Sequence, residues 1–408
     1  MQINPVPPVS FSRAVPQYAI ERYAIRDNKM ASDCFCKTVN VKPSFGMHPG
    51  IKIARKSFGI SKAGERTELF TLTNKNGAMV SLSSFGATIV ALKVPDKNGK
   101  KIDVLQGYDS VKGYDGTPNG HAGGTIGPCA NKIGGGTFTI DGKSYQLENN
   151  KDNGKTHCHG ASAGFDIKNW KSEVLKNGVR FTLLRPDGEG GYPGNLKTTV
   201  TYTLDDDNRL RVHYRAKSDK DTILNLTNHA YFNLDGAENT QENSVYNHIV
   251  QLPHSSRYTV NGNYSLPTGE IARVYGTPMD FTTPKRIGDV IETDFTQLAI
   301  GSGFDQNYCV DGYNGKDMIQ IARVESPKTG IVMNVSSNLP GFQFYSANHL
   351  GKKTQPLGRD GRIYEKRSAI CVEPQFYPDA VNKFDEKPIL KKGQIYDRSI
   401  IYEFGVNK

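Results

Sequence analysis

Met-Val-Ser-Leu-Ser-Ser-Phe-Gly-Ala-Thr-Ile-Val-Ala-Leu-Lys-Val, residues 79–94, alternates apolar and small polar side chains on both sides of Gly86. A period of two marks a half-buried strand, and a glycine inside it marks a bend, so the stretch reads as two strands or one bent strand. The same pattern runs outward from about Gly59 to the C-terminus. Asn-Gly recurs at 76, 98, 119, 153, 177, 261 and 314, and Asp-Gly at 115, 141, 187, 235, 311 and 360. Both dipeptides accept the positive φ angles of tight hairpin turns. Between them lie further strand-like runs at 137–147, 179–184, 198–204 and 210–214. Helical periodicity beyond about ten residues is absent, which argues against a βαβ nucleotide-binding fold. The expectation is an all-β protein, a large antiparallel β-sandwich over 59–408, with its strand order left open.

The 408 residues are 37% hydrophobic and 23% charged, an ordinary globular composition. No apolar run approaches the roughly 18 residues of a membrane-spanning helix. The net charge of +10 is concentrated at the front, where the first 60 residues hold nine Lys/Arg and three acids. Elsewhere there is no basic block or basic helix, so the charge favours solubility, and neither nucleic acid nor membrane is an expected partner. Residues 1–58, with prolines at 5, 7, 8, 16, 43 and 49, read as a poorly ordered basic N-terminal extension. They lack the apolar h-region of a secretory signal. The early arginines faintly resemble a transit peptide, against which Glu21 and Asp27 count, and Met30 and Met47 are alternative starts. The six cysteines form no Cys-x-x-Cys pair, and four of them, Cys129, Cys158, Cys309 and Cys371, sit in apolar or glycine-rich motifs. Such cysteines behave as reduced core residues, which points to a cytoplasmic protein. Acceptor triplets at Asn225, Asn263 and Asn334 carry little weight without a signal peptide.

The chemistry centres on residues 368–383, Ser-Ala-Ile-Cys-Val-Glu-Pro-Gln-Phe-Tyr-Pro-Asp-Ala-Val-Asn-Lys. An apolar run ending at Pro374 reads as a buried strand stopped by the proline, with Glu373 at its mouth. Flanked by Phe376 and Tyr377, that carboxylate is partly desolvated, which raises its pKa toward the range of a general base. Taken alone, Glu373 reads more readily as a solvated strand-end residue, since most glutamates are exposed. Four other stretches gather polar groups around glycine and aromatic residues. Gly127 to Phe138 offers Asn131 and Lys132, though its glycines fit neither phosphate-binding pattern. Thr156 to Trp170 holds His157 and His159, which would share a face of an extended strand, but no matching ligand cluster accompanies them and no metal is expected. His229 ends an alternating strand within Ile223 to Gly236, as suited to a core histidine as to a proton donor. Asp305, in Gly301 to Tyr308, and Gln343, in Pro340 to Tyr345, can orient hydroxyls or cap turns. Dispersed carboxylates, amides, histidines and aromatic rings are the inventory a neutral polyol requires.

Together these motifs resemble the aldose 1-epimerases, the galactose mutarotase family, from about Gly59 to the end. The matching stretches follow the family's order: 103–109, 131–138, His159-Gly160 through 164–166 to Trp170, 225–233, 303–307, 340–345 and 373–382. The resemblance implies a galactose-mutarotase-like supersandwich and the interconversion of α and β anomers of free hexoses such as galactose and glucose, without a cofactor. It implies Glu373 as general base at the anomeric hydroxyl and His229 as general acid at the ring oxygen. His159 would assist there, and Asn131, Lys132, Asp305 and Gln343 would bind sugar hydroxyls. Ordinary pKa values near 6.5 and 4.3 would let His229 carry a proton while Glu373 is ionised. The partner is then a small aldose, taken by a monomer or weak homodimer.

Departures accompany the match. The family's two arginines are replaced by Pro128 and Lys132, a glycine by Ala161, and a histidine after the aspartate by Gln306. Lys132 keeps the charge but loses the planar fork. The competing readings are a catalytically impaired sugar-binding or regulatory protein on the same fold, and a hexose-6-phosphate epimerase, for which an arginine cluster is wanting.

Overall fold

Gly86 is where the 79–94 stretch reverses. Met79–Ser83 and Thr88–Pro95 are two antiparallel strands, paired from Met79 opposite Lys93 to Ser83 opposite Thr88 with a bulge between Ser81 and Leu82. Between them Gly86 and Ala87 have φ of 70° and 44°. A Cβ on Gly86 would lie 2.5 Å from the Asp166 carbonyl oxygen, so this bend demands glycine. The computed structural model of the chain describes Gly46, Met47, residues 50–116 and residues 120–407.

Three large antiparallel sheets carry the described residues, with six, nine and five strands. In the nine-stranded sheet the C-terminal strand Ile395–Val406 lies centrally, between Arg209–Ser218 and Ile331–Ser337. Alternating burial along Leu196–Leu204 and Arg209–Ser218 turns one face inward. There Phe181 meets Phe70 of the six-stranded sheet edge-on, with ring centroids 5.9 Å apart. One core cluster runs through all three sheets, including Leu72, Leu82, Val200, Val212, Phe344 and Ile400.

The five-stranded sheet positions the site. Asp305–Cys309, Gly341–Tyr345 and Cys371–Gln375 lie side by side, with Asn307 opposite Gln343 and Gln343 opposite Glu373. Because side chains alternate between faces, Tyr308, Phe342, Phe344 and Val372 enter the core. The other face then carries Asp305, Asn307, Gln343, Tyr345, Cys371, Glu373 and Gln375.

Three local readings change. The Glu373 strand does not stop at its proline: it runs Cys371–Gln375, with Pro374 opposite Phe342. The strand is the sheet's edge, where a missing N–H is tolerated. Ten of the thirteen turn-dipeptide glycines have positive φ, but among the described residues only Asp141, Asn153 and Asp360 join them there. Most of these turns therefore bend at the glycine alone rather than as two-residue mirror-image hairpins. The region read as an extension to residue 58 ends in structure, since Lys52–Ile60 is a strand paired with Arg66–Thr73. Residues 1–45, 48 and 49, with the transit-peptide and alternative-start readings at Met30, lie outside the described residues.

Candidate active site

The polar face of the five-stranded sheet is the floor of a cavity of about 320 Å³. All seven residues singled out in the sequence, Glu373, His229, His159, Asn131, Lys132, Asp305 and Gln343, line it. Residues more than 200 positions apart thus converge on one space.

Glu373 and His229 meet at its base. Thr227–Asn228, paired with Thr125–Ile126, delivers His229 so that Nε2 lies 3.6 Å from Glu373 Oε1. Both are buried, at 6% and 2% exposure. On the ring's other side Nδ1 is 3.5 Å from the Cys371 sulfur. Burial pushes the Glu373 carboxyl well above its ordinary pKa, and the Asp305 charge adds to this. Burial likewise holds His229 down to about 3, with the His121 charge adding. The ordinary values expected from the sequence therefore do not hold: a dry site opposes both charges singly. What the pair retains is one proton between two groups.

His159 is fastened by its neighbours. The Asn131 backbone N–H donates to its Nδ1 at 3.2 Å, and its own N–H donates to the Asn131 carbonyl at 3.1 Å. Accepting at Nδ1 leaves the ring proton on Nε2. Burial first, then the charges of His121 and His229, lower its pKa strongly, so it is neutral. His157 does not join it on a common strand face. The strand ends at Cys158, His159 adopts φ of 52°, and His157 is buried against the Tyr192 hydroxyl at 2.6 Å. Opposite the histidines, Gln343 Nε2 donates to Asp305 Oδ1 at 2.7 Å, and burial raises the Asp305 pKa. Lys132 Nζ donates to Asp152 Oδ2 at 3.1 Å and to the Tyr264 carbonyl, leaving one of its three N–H groups for the cavity.

The aromatic platforms differ from those anticipated. Phe376 is buried outside the cavity lining and Tyr377 packs against Gly341, whereas Tyr231 and Tyr345 line the cavity. Tyr231 stacks on the His229 ring at 5.0 Å, and Tyr345 meets it edge-on at 6.1 Å. A residue the sequence did not flag is His121. Its Nδ1 is 2.7 Å from Asp166 Oδ2, and its ring centroid is 4.7 Å from that of His159 and 6.1 Å from that of His229. Only its place after the Asn119-Gly120 turn marked it, which is too weak a signal. Among the described residues, His229, Cys371 and Glu373 are the donors close enough to hold a metal ion. Burial pushes the Cys371 thiol up, which opposes its acting as a thiolate ligand.

The aldose 1-epimerase family model matches residues 68–403. The chain belongs to the aldose 1-epimerase family. It is 39% identical to the galactose mutarotase of Bos taurus over 358 residues, 87% of this chain and 99% of that one. With the aldose 1-epimerase of Escherichia coli K12 it shares 33% over 347 residues, covering 84% and 96%. The crystal structure of galactose 1-epimerase from Lactobacillus acidophilus superposes with a TM-score of 0.73 at 26% identity, covering 88% of this chain and all of that one. Against the aldose 1-epimerase pattern, Gln306 is internally satisfied: Nε2 donates to the Gln297 carbonyl at 2.6 Å, and Oε1 accepts from the Asp305 N–H at 2.8 Å. Ala161, where the family usually has glycine, carries φ of 49°, a conformation costly for any residue with a Cβ.

Proposed function

We propose that the chain catalyses the interconversion of α and β anomers of free hexoses such as galactose and glucose by acid/base ring opening and reclosure. The observation that carries this is the buried Glu373–His229 pair, 3.6 Å apart at the base of a cavity also lined by Asp305, Gln343, Asn131 and Lys132. Glu373 takes the proton from the anomeric hydroxyl while His229 gives one to the ring oxygen. The C1–O5 bond breaks and O1 becomes a carbonyl oxygen. Rotation about C1–C2 presents the other face, and the reversed transfers close the ring as the opposite anomer. The active arrangement is carboxylate and imidazolium, which contains the same single proton as the neutral arrangement. At 3.6 Å the two charges stabilise each other, so the pair reaches that state without outside protons.

His159 supports the ring oxygen side through its Nε2–H. Asp305 and Gln343 receive sugar hydroxyls at one wall, and Lys132 and Asn131 at the other. Tyr231 and Tyr345 offer apolar faces to the C–H groups of the ring. No helix of the described residues is long and apolar enough to cross a membrane. The four buried, unpaired cysteines Cys129, Cys158, Cys309 and Cys371 support a cytoplasmic location.

The test is polarimetry or NMR of freshly dissolved α-galactose and α-glucose. The full chain should speed equilibration well above buffer, and Glu373→Gln should lose roughly 10³-fold in kcat while remaining folded. A wild-type chain no faster than buffer, or a fully active Glu373→Gln chain, refutes the proposal.

A further inference from the structure

The sheet face beneath the cavity carries more polar groups than this chemistry uses. Gln375 follows Glu373 at the two-residue spacing that returns a side chain to the same face, and Asn307 lies beside Gln343 in its row. Gln375 is 0% and Asn307 1% exposed, and neither lines the cavity. Both polar atoms of each amide lack a hydrogen-bond partner, and so do Glu373 Oε2 and Gln343 Oε1. Six unpartnered buried atoms on one patch run against the general rule, because an unpaired buried amide destabilises a fold. Other amides of this sheet and its neighbouring loops are paired: Gln306 and Asn348 bond to backbone carbonyls at 2.6 and 2.9 Å. The patch is also sealed at its far end. Gly341 stands between Cys309 and Gln375, and a Cβ there would lie 2.7 Å from the Tyr377 ring that covers it. Among the described residues, Gln375 and Asn307 are the buried amides of which both polar atoms lack a partner, and they flank the base and its neighbour.

We propose that Gln375 is a positioning residue for Glu373, whose amide N–H groups meet Glu373 Oε2 when the carboxylate is ionised, and that Asn307 supports Gln343 Oε1 in the same way. The inference rests on Glu373 being the acid/base residue. Each turnover ionises a carboxyl that is 2% exposed and has His229 as its nearest cation. An amide at the end of a glutamine turns about a broad terminal torsion, so Gln375 can meet the charge without backbone movement. Bonds to an ionised acceptor are short and strong, and donors already in place require no reorganisation at the moment of reaction. The resting protein tolerates the unpaired amides because turnover uses them.

Gln375→Met, close in volume and without donors, separates this role from a packing role. The expected result is a kcat lower by about 10-fold or more, a KM for galactose within about 2-fold, and a Tm equal to or above wild type. Without the donors the ionised form of Glu373 is disfavoured. The limb of the pH–rate profile set by its ionisation should then move up by about one pH unit. A raised Tm with kcat and that limb unmoved overturns the proposal. If Gln375→Met is insoluble, Gln375→Asn, which withdraws the amide by one methylene, serves instead. The same shift is expected, and an unmoved limb again overturns it. A wild-type chain inactive on every aldose would refute the mutarotase reading. An active wild type matched by the variant refutes this inference alone.

Discussion

Glu373 is unfavourable to the fold that holds it. Its carboxyl is buried beside Asp305, has an unpartnered Oε2, and is held well above its ordinary pKa. Because the folded pKa exceeds the unfolded value near 4.5, the folded state binds the extra proton above that pH, and stability falls as pH rises through the window. Each pH unit traversed there costs about 1.4 kcal/mol for this one group. Glu373→Gln removes the titration. Its Tm should match wild type near pH 4 and exceed it by an amount that grows toward pH 8, read by calorimetry across that range. A difference independent of pH would show that the carboxyl is not titrating as described. Glu373 is thus a residue whose desolvation the sequence anticipated while misplacing its surroundings. Desolvation comes from the cavity walls and the Tyr231–His229–Tyr345 cluster rather than from Phe376 and Tyr377.

At the scale of elements, alternation and turn dipeptides made the strands legible because both are local: Thr137–Ile140, Gly178–Arg185, Leu196–Leu204 and Arg209–Ser218 lie where they were expected. Strand order was not legible, since nothing local places Ile395–Val406 between Arg209–Ser218 and Ile331–Ser337. His121 escaped for the same reason: its partner Asp166 is 45 residues away. The motif residues came together because the family resemblance carried long-range information that spacing lacks. One junction shows what local chemistry does supply. Asn131 has φ of 63°, a conformation asparagine tolerates better than other non-glycine residues, and its Oδ1 accepts from the Lys132 N–H at 2.9 Å. The turn latches the strand Lys132–Gly134 to His159. Asn131→Gly keeps the backbone and deletes only the side chain, so it should raise KM several-fold with little loss of stability. Asn131→Ala keeps a Cβ in the left-handed conformation but loses the amide that eases it, and should also destabilise by about 1 kcal/mol. Equal stability of the two variants, measured by chemical denaturation, would mean the left-handed turn is not constraining the site.

The same buried groups set the pH response of the whole molecule. His157, His159, His229 and His248 all have pKa values lowered chiefly by burial, to about 3 for His229 and about 4 for His248. Below about 6.5 the unfolded chain takes up protons that these folded histidines refuse, so they reduce stability as pH falls from 6.5. Glu373, Asp305, Asp103 and Asp379 are raised by burial and act in the opposite direction: from about 4 upward the folded chain holds protons the unfolded chain releases. Above 6.5 only the carboxyls contribute, and stability declines with rising pH. Below 4 the histidines are joined by the carboxyls that hydrogen bonds hold below their ordinary pKa, Glu148, Asp187, Asp206, Asp219, Asp221 and Glu292, and stability declines with falling pH. The two sets overlap between about 4 and 6.5, and the stability maximum should fall in that mildly acidic interval rather than at neutrality. Calorimetry from pH 3 to 9 measures it directly. Glu373→Gln should flatten the alkaline limb and His248→Phe the acid limb, each without moving the other. A maximum above pH 7 in the wild-type chain would show that these groups are solvated in the folded state.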